Sequence, residues 1–186
     1  MTAYSVAQIV SLTGISAHKL RIWERRYHFL QPDRTDTNIR SYSDADLRKL
    51  LNIAILLRHG YKLSVIDKLS ETELLEAVEN IVEDPSAGNS DEIDTLIIST
   101  LEMNEAAFDK IIERQVAKKG LLLTVTETIY PFLATVGTLW TTSKVIPAQE
   151  HFISNLIRQK IIAAIAALPT PSDDAPRILM FLLEGD

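Results

Sequence analysis

His18, Arg21 and Arg25 recur at a spacing that gathers them on one side of a helix, with Lys19 and Arg26 beside them. Cationic side chains in that arrangement neutralise phosphates, and arginine can also bond a guanine edge with two parallel hydrogen bonds. A second constellation lies far along the chain, where Trp140 is followed after nine residues by the pair Glu150-His151. A tryptophan at the end of one helix and a Glu-His pair opening the next can form one face of a flat pocket. The ring covers an apolar ligand face, and the carboxylate and imidazole supply hydrogen bonds. Each of these residues also has a plainer reading. Trp140 fits an ordinary bundle core, Glu150 sits in the first turn after Pro147 where a carboxylate favours the helix dipole, and His151 fits an exposed polar position. The four histidines are scattered (His18, His28, His59, His151), and no nucleophile-base pair, metal cluster or phosphate loop accompanies them, which argues against an enzyme.

The elements that must position the basic residues are short helices. Ser5 to Thr13 places Val6, Ile9, Val10 and Leu12 mainly on one face, with Ser5 as N-cap. Gly14 breaks that helix and Ser16 caps a second one, whose Leu20, Trp23 and Tyr27 form the inward stripe. Two short helices joined by a glycine-containing turn, the second basic on one side, make a helix-turn-helix. Small Ala17 after Ser16 lets the helix N-terminus approach a phosphate. Gln31 to Ser43 has turn-rich composition and is expected to be a loop or short hairpin, with Arg34 and Arg40 placed as a wing for flanking phosphates. Trp23 is expected in the core, and either Arg25 or Arg26 is a candidate partner for Glu24. The alternative is a solvated basic helix in an ordinary bundle.

Charge divides the chain in the same place. Residues 1–62 hold ten Lys/Arg against five Asp/Glu, a net +5, whereas residues 63–186 hold nine against twenty, a net −11. A basic head on an acidic body implies that the head meets a polyanion. The absence of cysteine excludes disulfides and thiolate metal sites. The N-terminus lacks the pattern of a signal peptide, and the longest apolar stretch, Ile161 to Leu168, is far short of the ~20 residues needed to span a bilayer. A cytoplasmic protein without a membrane partner is the expectation.

Helix resumes at Ser43-Asp44 and runs to about His59, where Gly60 stops it; two short helices follow, the second from about Ser70. Residues 83–89, with Pro85 and Gly88, read as a linker. Beyond it lie four helical segments, about Asp91 to Met103, Glu105 to Lys119, Leu121 to Thr141 and Pro147 to Leu168; short connections predict an antiparallel bundle. Pro131 falls inside the third segment and should kink it. The fold class expected is mainly α, a winged helix-turn-helix domain over residues 1–82 followed by a four-helix bundle over 90–169. After a second linker, residues 177–186 read as a strand ending in Gly185-Asp186.

Four motifs in order resemble the MerR family of transcription regulators: Tyr4 to Ile9, Thr13 to Ser16, Leu20 to Glu24, and Arg40-Ser41-Tyr42. The resemblance covers roughly residues 4–70. It implies that Arg21 and Arg40 grip the DNA backbone and that Tyr42 packs or bonds at the wing. The DNA-binding set expected is Ser16, His18, Lys19, Arg21, Arg25, Arg34, Arg40 and Tyr42, with His18 and Lys19 reaching base edges. Regulators of this family bind near-palindromic double-stranded operators as dimers; without a sustained heptad run, this chain would associate by means other than a coiled coil.

The second module resembles the helical cobalamin-cap domain of methionine synthase and of CarH-type light-sensing repressors, through Pro131-Phe132-Leu133, Val136-Gly137, Trp140 and Glu150-His151. The resemblance implies that Trp140, Glu150 and His151 sit over the upper axial group of a corrinoid. The closing strand resembles the first strand of a Rossmann-like cobalamin-binding domain, so the chain is expected to be a piece of a longer protein. Adenosylcobalamin would bind the longer protein, and these residues alone would hold none tightly. The function expected is a transcriptional repressor whose homo-oligomerisation and DNA binding follow cobalamin and light. The alternative is a MerR-type regulator whose bundle binds a protein partner and senses no corrinoid.

Overall fold

The computed structural model describes residues 4–35, 37–84, 88–140, 147–170, 172 and 174, with the side chains of 138–140, 147 and 150 outside the description. The expected strand at 177–186 also lies outside the described residues. What is described is mainly α. Helix α1 (Val6–Thr13) begins with a reciprocal cap: Gln8 N–H donates to Ser5 Oγ, and Ser5 N–H donates to Gln8 Oε1. It ends at Gly14, whose φ of 68° is a left-handed conformation that suits glycine. Helix α2 (Ala17–Arg26) starts from Ser16, with Lys19 N–H donating to Ser16 Oγ. The turn-rich segment is the shorter of its two expected forms, a hairpin of β1 (Asp33–Arg34) and β2 (Arg40–Ser41), antiparallel with Asp33 opposite Ser41. A bridge between Tyr4 and Tyr42 ties the N-terminus to this hairpin, and Tyr4 Oη donates to Asp44 at 2.7 Å.

Helix α3 (Asp44–Arg58) opens with a second reciprocal cap between Ser43 and Asp46. From Leu50 to Leu56 it is buried around its whole circumference. Such a helix requires neighbours on every side, and it has them: α1 and α5 (Glu71–Glu83) on the head side, with α4 (Leu63–Ile66) leading into α5, and α6 (Asn89–Glu102) on the other. The expected linker at 83–89 therefore joins two modules that share one core, and α3 before it packs directly on α6 after it.

The α3–α6 seam is antiparallel and held by ion pairs at both ends. At one end Arg48 Nη1 lies 3.0 Å from Glu102. At the other, Arg58 Nε donates to Asp91 and Nη2 to Asp94, each at 2.7 Å, while His59 Nε2 lies 2.8 Å from Asp91. The burial that pushes the Asp94 carboxyl up to about 6 outweighs the guanidinium beside it. Burial would raise Asp91 as well, but hydrogen bonds from His59 and Arg58 hold it below the usual carboxylate range.

The bundle continues through α7 (Glu105–Thr124), a π turn (Val125–Ile129), α8 (Tyr130–Trp140) and α9 (Pro147–Ala166). Gly120, at φ 81° and ψ 165°, interrupts α7. The kink expected from Pro131 takes the form of the π turn just before it. Proline offers no N–H to the Glu127 carbonyl four residues back, and Asn89 Nδ2 donates to that oxygen at 2.6 Å. By length and composition, residues 105–137 are apolar enough to cross a membrane, which exceeds the longest apolar stretch read from the sequence. That run is interrupted at Gly120 and packs Phe108, Ile111, Ile112, Phe132 and Val136 into the shared core. It is thus a helix pair of the bundle.

Two outcomes test this architecture. Truncating Ile97, fully buried on α6, to alanine should cost about 2–5 kcal/mol and lower a single cooperative transition seen by both head and bundle probes; two transitions, only one of them shifted, would contradict a shared core. Asp94 has a higher pKa folded than unfolded, so the unfolded chain releases its proton first and stability falls as pH rises from 3.8 to about 6. Asp94→Asn removes this loss. In urea titrations the stability difference should therefore move in the variant's favour across that window and level off above it, whereas a difference independent of pH would contradict the burial argument.

Candidate nucleic-acid interface

The head builds its interface from the inward stripe outward. Leu20 and Trp23 of α2 are buried, Trp23 meeting Phe29 edge-to-face at 6.0 Å, as expected of a core tryptophan. With that face fixed, the opposite face presents His18, Arg21 and Arg25 together, all exposed, with Lys19 and Arg26 exposed alongside. Arg26 also lies 6.0 Å over the Tyr27 ring, which stacks on Phe29. Ser16 is exposed, and its Oγ accepts the Lys19 amide, so its first role is to cap the helix that carries the basic face. The arrangement offers a duplex a rigid cationic ridge whose N-terminal turn is accessible.

The wing differs from expectation in its pairing. Neither Arg25 nor Arg26 pairs with Glu24; instead Glu24 accepts from Arg40 Nε and from Arg34 Nη2, each at 2.5 Å, and Arg34 Nη1 donates to Asn38 Oδ1 at 2.9 Å. Partial burial would raise the Glu24 carboxyl, and the hydrogen bonds from Arg40 and Arg34 overcome this and hold it below the usual range. Arg34 and Arg40 thus reach the interface already bound to a carboxylate on α2. A 10-residue and a 16-residue separation from Glu24 leave no local signal of this pairing, because only closure of the hairpin onto α2 creates it.

Tyr42 is corrected from the contact set to the core. It is 1% exposed, packs opposite Tyr4, and its hydroxyl is buried with no hydrogen-bond partner among the described residues, so it supports the wing from beneath. The burial raises its phenol above the ordinary value.

The bundle residues are only partly placed. Trp140 is the last residue of α8, and Glu150 and His151 lie in the first turns of α9, so all three flank the same connection of residues 141–146. His151 is exposed; the side chains of Trp140 and Glu150 lie outside the description. Among the described residues no group of three or more His, Asp or Glu side chains is arranged to hold a metal ion.

A model of the MerR HTH family regulatory proteins matches residues 4–73, and a model of the B12 binding domain matches residues 92–164. The HTH-type transcriptional repressor CarH of Myxococcus xanthus is 26% identical over 172 residues, covering 89% of this chain and 57% of that protein. The repressor CarA of the same organism is 28% identical over 187 residues, covering 97% of this chain and 59% of that one. The regulator MlrA of Escherichia coli (strain K12) is 33% identical over 73 residues, 39% of this chain and 30% of MlrA. The chain thus spans less than three fifths of the length of CarH and CarA.

If the exposed α2 face meets phosphates, Arg21→Ala should weaken binding to every duplex and reduce the slope of log affinity against log salt by about one. Mobility-shift titrations at several salt concentrations read this directly, and an unchanged slope would count against a phosphate contact.

Proposed function

We infer that the chain is a MerR-type transcriptional regulator of the CarH kind, supported by the two family matches and the similarity to CarH and MlrA, and that its head docks α2 in the major groove of a near-palindromic operator. On this reading Arg21 and Arg25 hold phosphates, His18 and Lys19 read base edges, Ser16 caps the reading helix, and Arg34 and Arg40 meet the flanking backbone from the wing. The observation that carries the reading is the exposed His18–Arg21–Arg25 face, fixed by a buried opposite face and flanked by an arginine-bearing hairpin. Sequence-independent affinity comes from the cations and register from the rigid helix.

The bundle is read as the cap of a cobalamin site. Its support is the B12 binding domain match together with the common position of Trp140, Glu150 and His151 at the α8–α9 connection. When bound, adenosylcobalamin would supply a light-labile cobalt-carbon bond. This chain's own part would be to shield the upper face with Trp140 and to offer hydrogen bonds from Glu150 and His151. The path to the head is the α3–α6 seam, since any rearrangement of the bundle about α6 acts on a helix that is also core to the head. The protein is accordingly a cytoplasmic repressor that forms homo-oligomers on DNA under cobalamin control.

The decisive experiment uses protein purified from its native locus. A corrinoid absorption spectrum, with operator retention that changes when adenosylcobalamin is added in the dark or the complex is illuminated, is expected. Trp140→Ala should weaken retention of the adenosyl form. Operator binding that is indifferent to cobalamin would favour the second reading, a bundle that docks a protein partner.

A further inference from the structure

We propose that Glu24 is the specificity-determining positioning residue of the head, a carboxylate that sets the wing against the reading helix and restrains binding to random DNA. The proposal rests on the DNA-binding reading above. Glu24 stands on α2 three residues beyond Arg21, yet its partners are on the other element. It takes Arg40 from β2 and Arg34 from β1, so both strands of the hairpin are fastened to the helix through one side chain. Its side chain is 13% exposed, while those of Arg40 and Arg34 are 24% and 41% exposed, so the carboxylate lies beneath two guanidinium groups that still face solvent. Asn38, at the tip of the hairpin with a φ of 62°, holds the second arm of Arg34.

Two consequences follow from this geometry. The guanidinium groups are fixed before any duplex arrives, so a phosphate at the matching distance meets oriented donors and costs little side-chain ordering. The same carboxylate reduces the wing cluster of Arg34, Arg40 and Glu24 from two positive charges to one, which lowers the attraction of phosphates at every other register. Affinity for random DNA is given up in exchange for a fixed spacing between helix and wing. A merely structural ion pair would show neither effect, because its loss would weaken all binding through unfolding.

The test compares wild type, Glu24→Gln and Glu24→Asp. The probes are a duplex enriched by the wild-type protein from a randomised pool and a scrambled duplex of equal composition, each titrated over a range of salt. Glu24→Gln frees both arginines; it should bind the scrambled duplex roughly threefold to tenfold more tightly at low salt, steepen the salt slope by about one, and lose preference for the enriched duplex. Glu24→Asp keeps the charge but shortens the reach, so the slope should stay at the wild-type value while the preference still falls. Thermal midpoints measured alongside report folding, and the aspartate variant carries the test if the glutamine variant is unfolded. Unchanged preference in the folded variants, with wild type discriminating normally, would overturn the role of Glu24 alone. Failure of wild type to prefer any duplex would overturn the DNA-binding reading and this proposal with it.

Discussion

The packing of α3 is the constraint on which the rest of the molecule depends. A helix sealed from Leu50 to Leu56 has no solvent face to spare, so the elements around it cannot separate without exposing Leu, Ile and Ala side chains to water. Each of its larger aliphatic residues contributes on the order of 1.5–3 kcal/mol by burial. Because α1 packs on one side of α3 and α6 on another, the helix-turn-helix and the bundle are two modules built around one core. The ion pairs at the two ends of the seam define its register. They add little through the exposed Arg48–Glu102 pair and more through Asp91, which is buried and hydrogen-bonded by both Arg58 and His59.

This architecture gives the charge asymmetry of the chain a spatial meaning. Six of the ten positive residues among residues 1–62 (Lys19, Arg21, Arg25, Arg26, Arg34 and Arg40) lie on α2 and the wing, whereas Arg48 and Arg58 pair with acidic residues of α6. The net +5 of residues 1–62 therefore overstates what the interface can offer to DNA. Glu24 trims it further at the wing. On the proposed reading, what would reach a duplex is a small, oriented set of cations, suited to register more than to indiscriminate attraction.

Much of this was legible in the sequence because it is local. Caps at Ser5, Ser16, Ser43 and Ser70 lie within three residues of their partners, Gly14 marks its own turn, and the Leu20–Trp23 stripe announces the buried face of α2. What escaped was non-local. Asp91, Glu92 and Asp94 are all buried because Arg58, His59 and Gln115 come to them from other elements, which no local pattern announces. Residues 83–89 carry the composition of a flexible linker, and composition says nothing of whether the helices on either side pack together. Tyr42 sits in a motif associated with the wing and faces inward, since alternation along a two-residue strand leaves its sidedness to the Tyr4 bridge. Pro131 announced a kink, but that Asn89 would supply the missing donor to Glu127 depended on the placement of α6.

The central claim is that α2 and the hairpin, and no other surface, lie against duplex DNA. Amide hydrogen exchange with and without a bound operator duplex measures this most directly. The account predicts slowed exchange across α2 and across β1 and β2, with α7 to α9 unchanged by DNA alone. Slowed exchange confined to the bundle, or none anywhere in the head of a protein that retains the duplex, would contradict it.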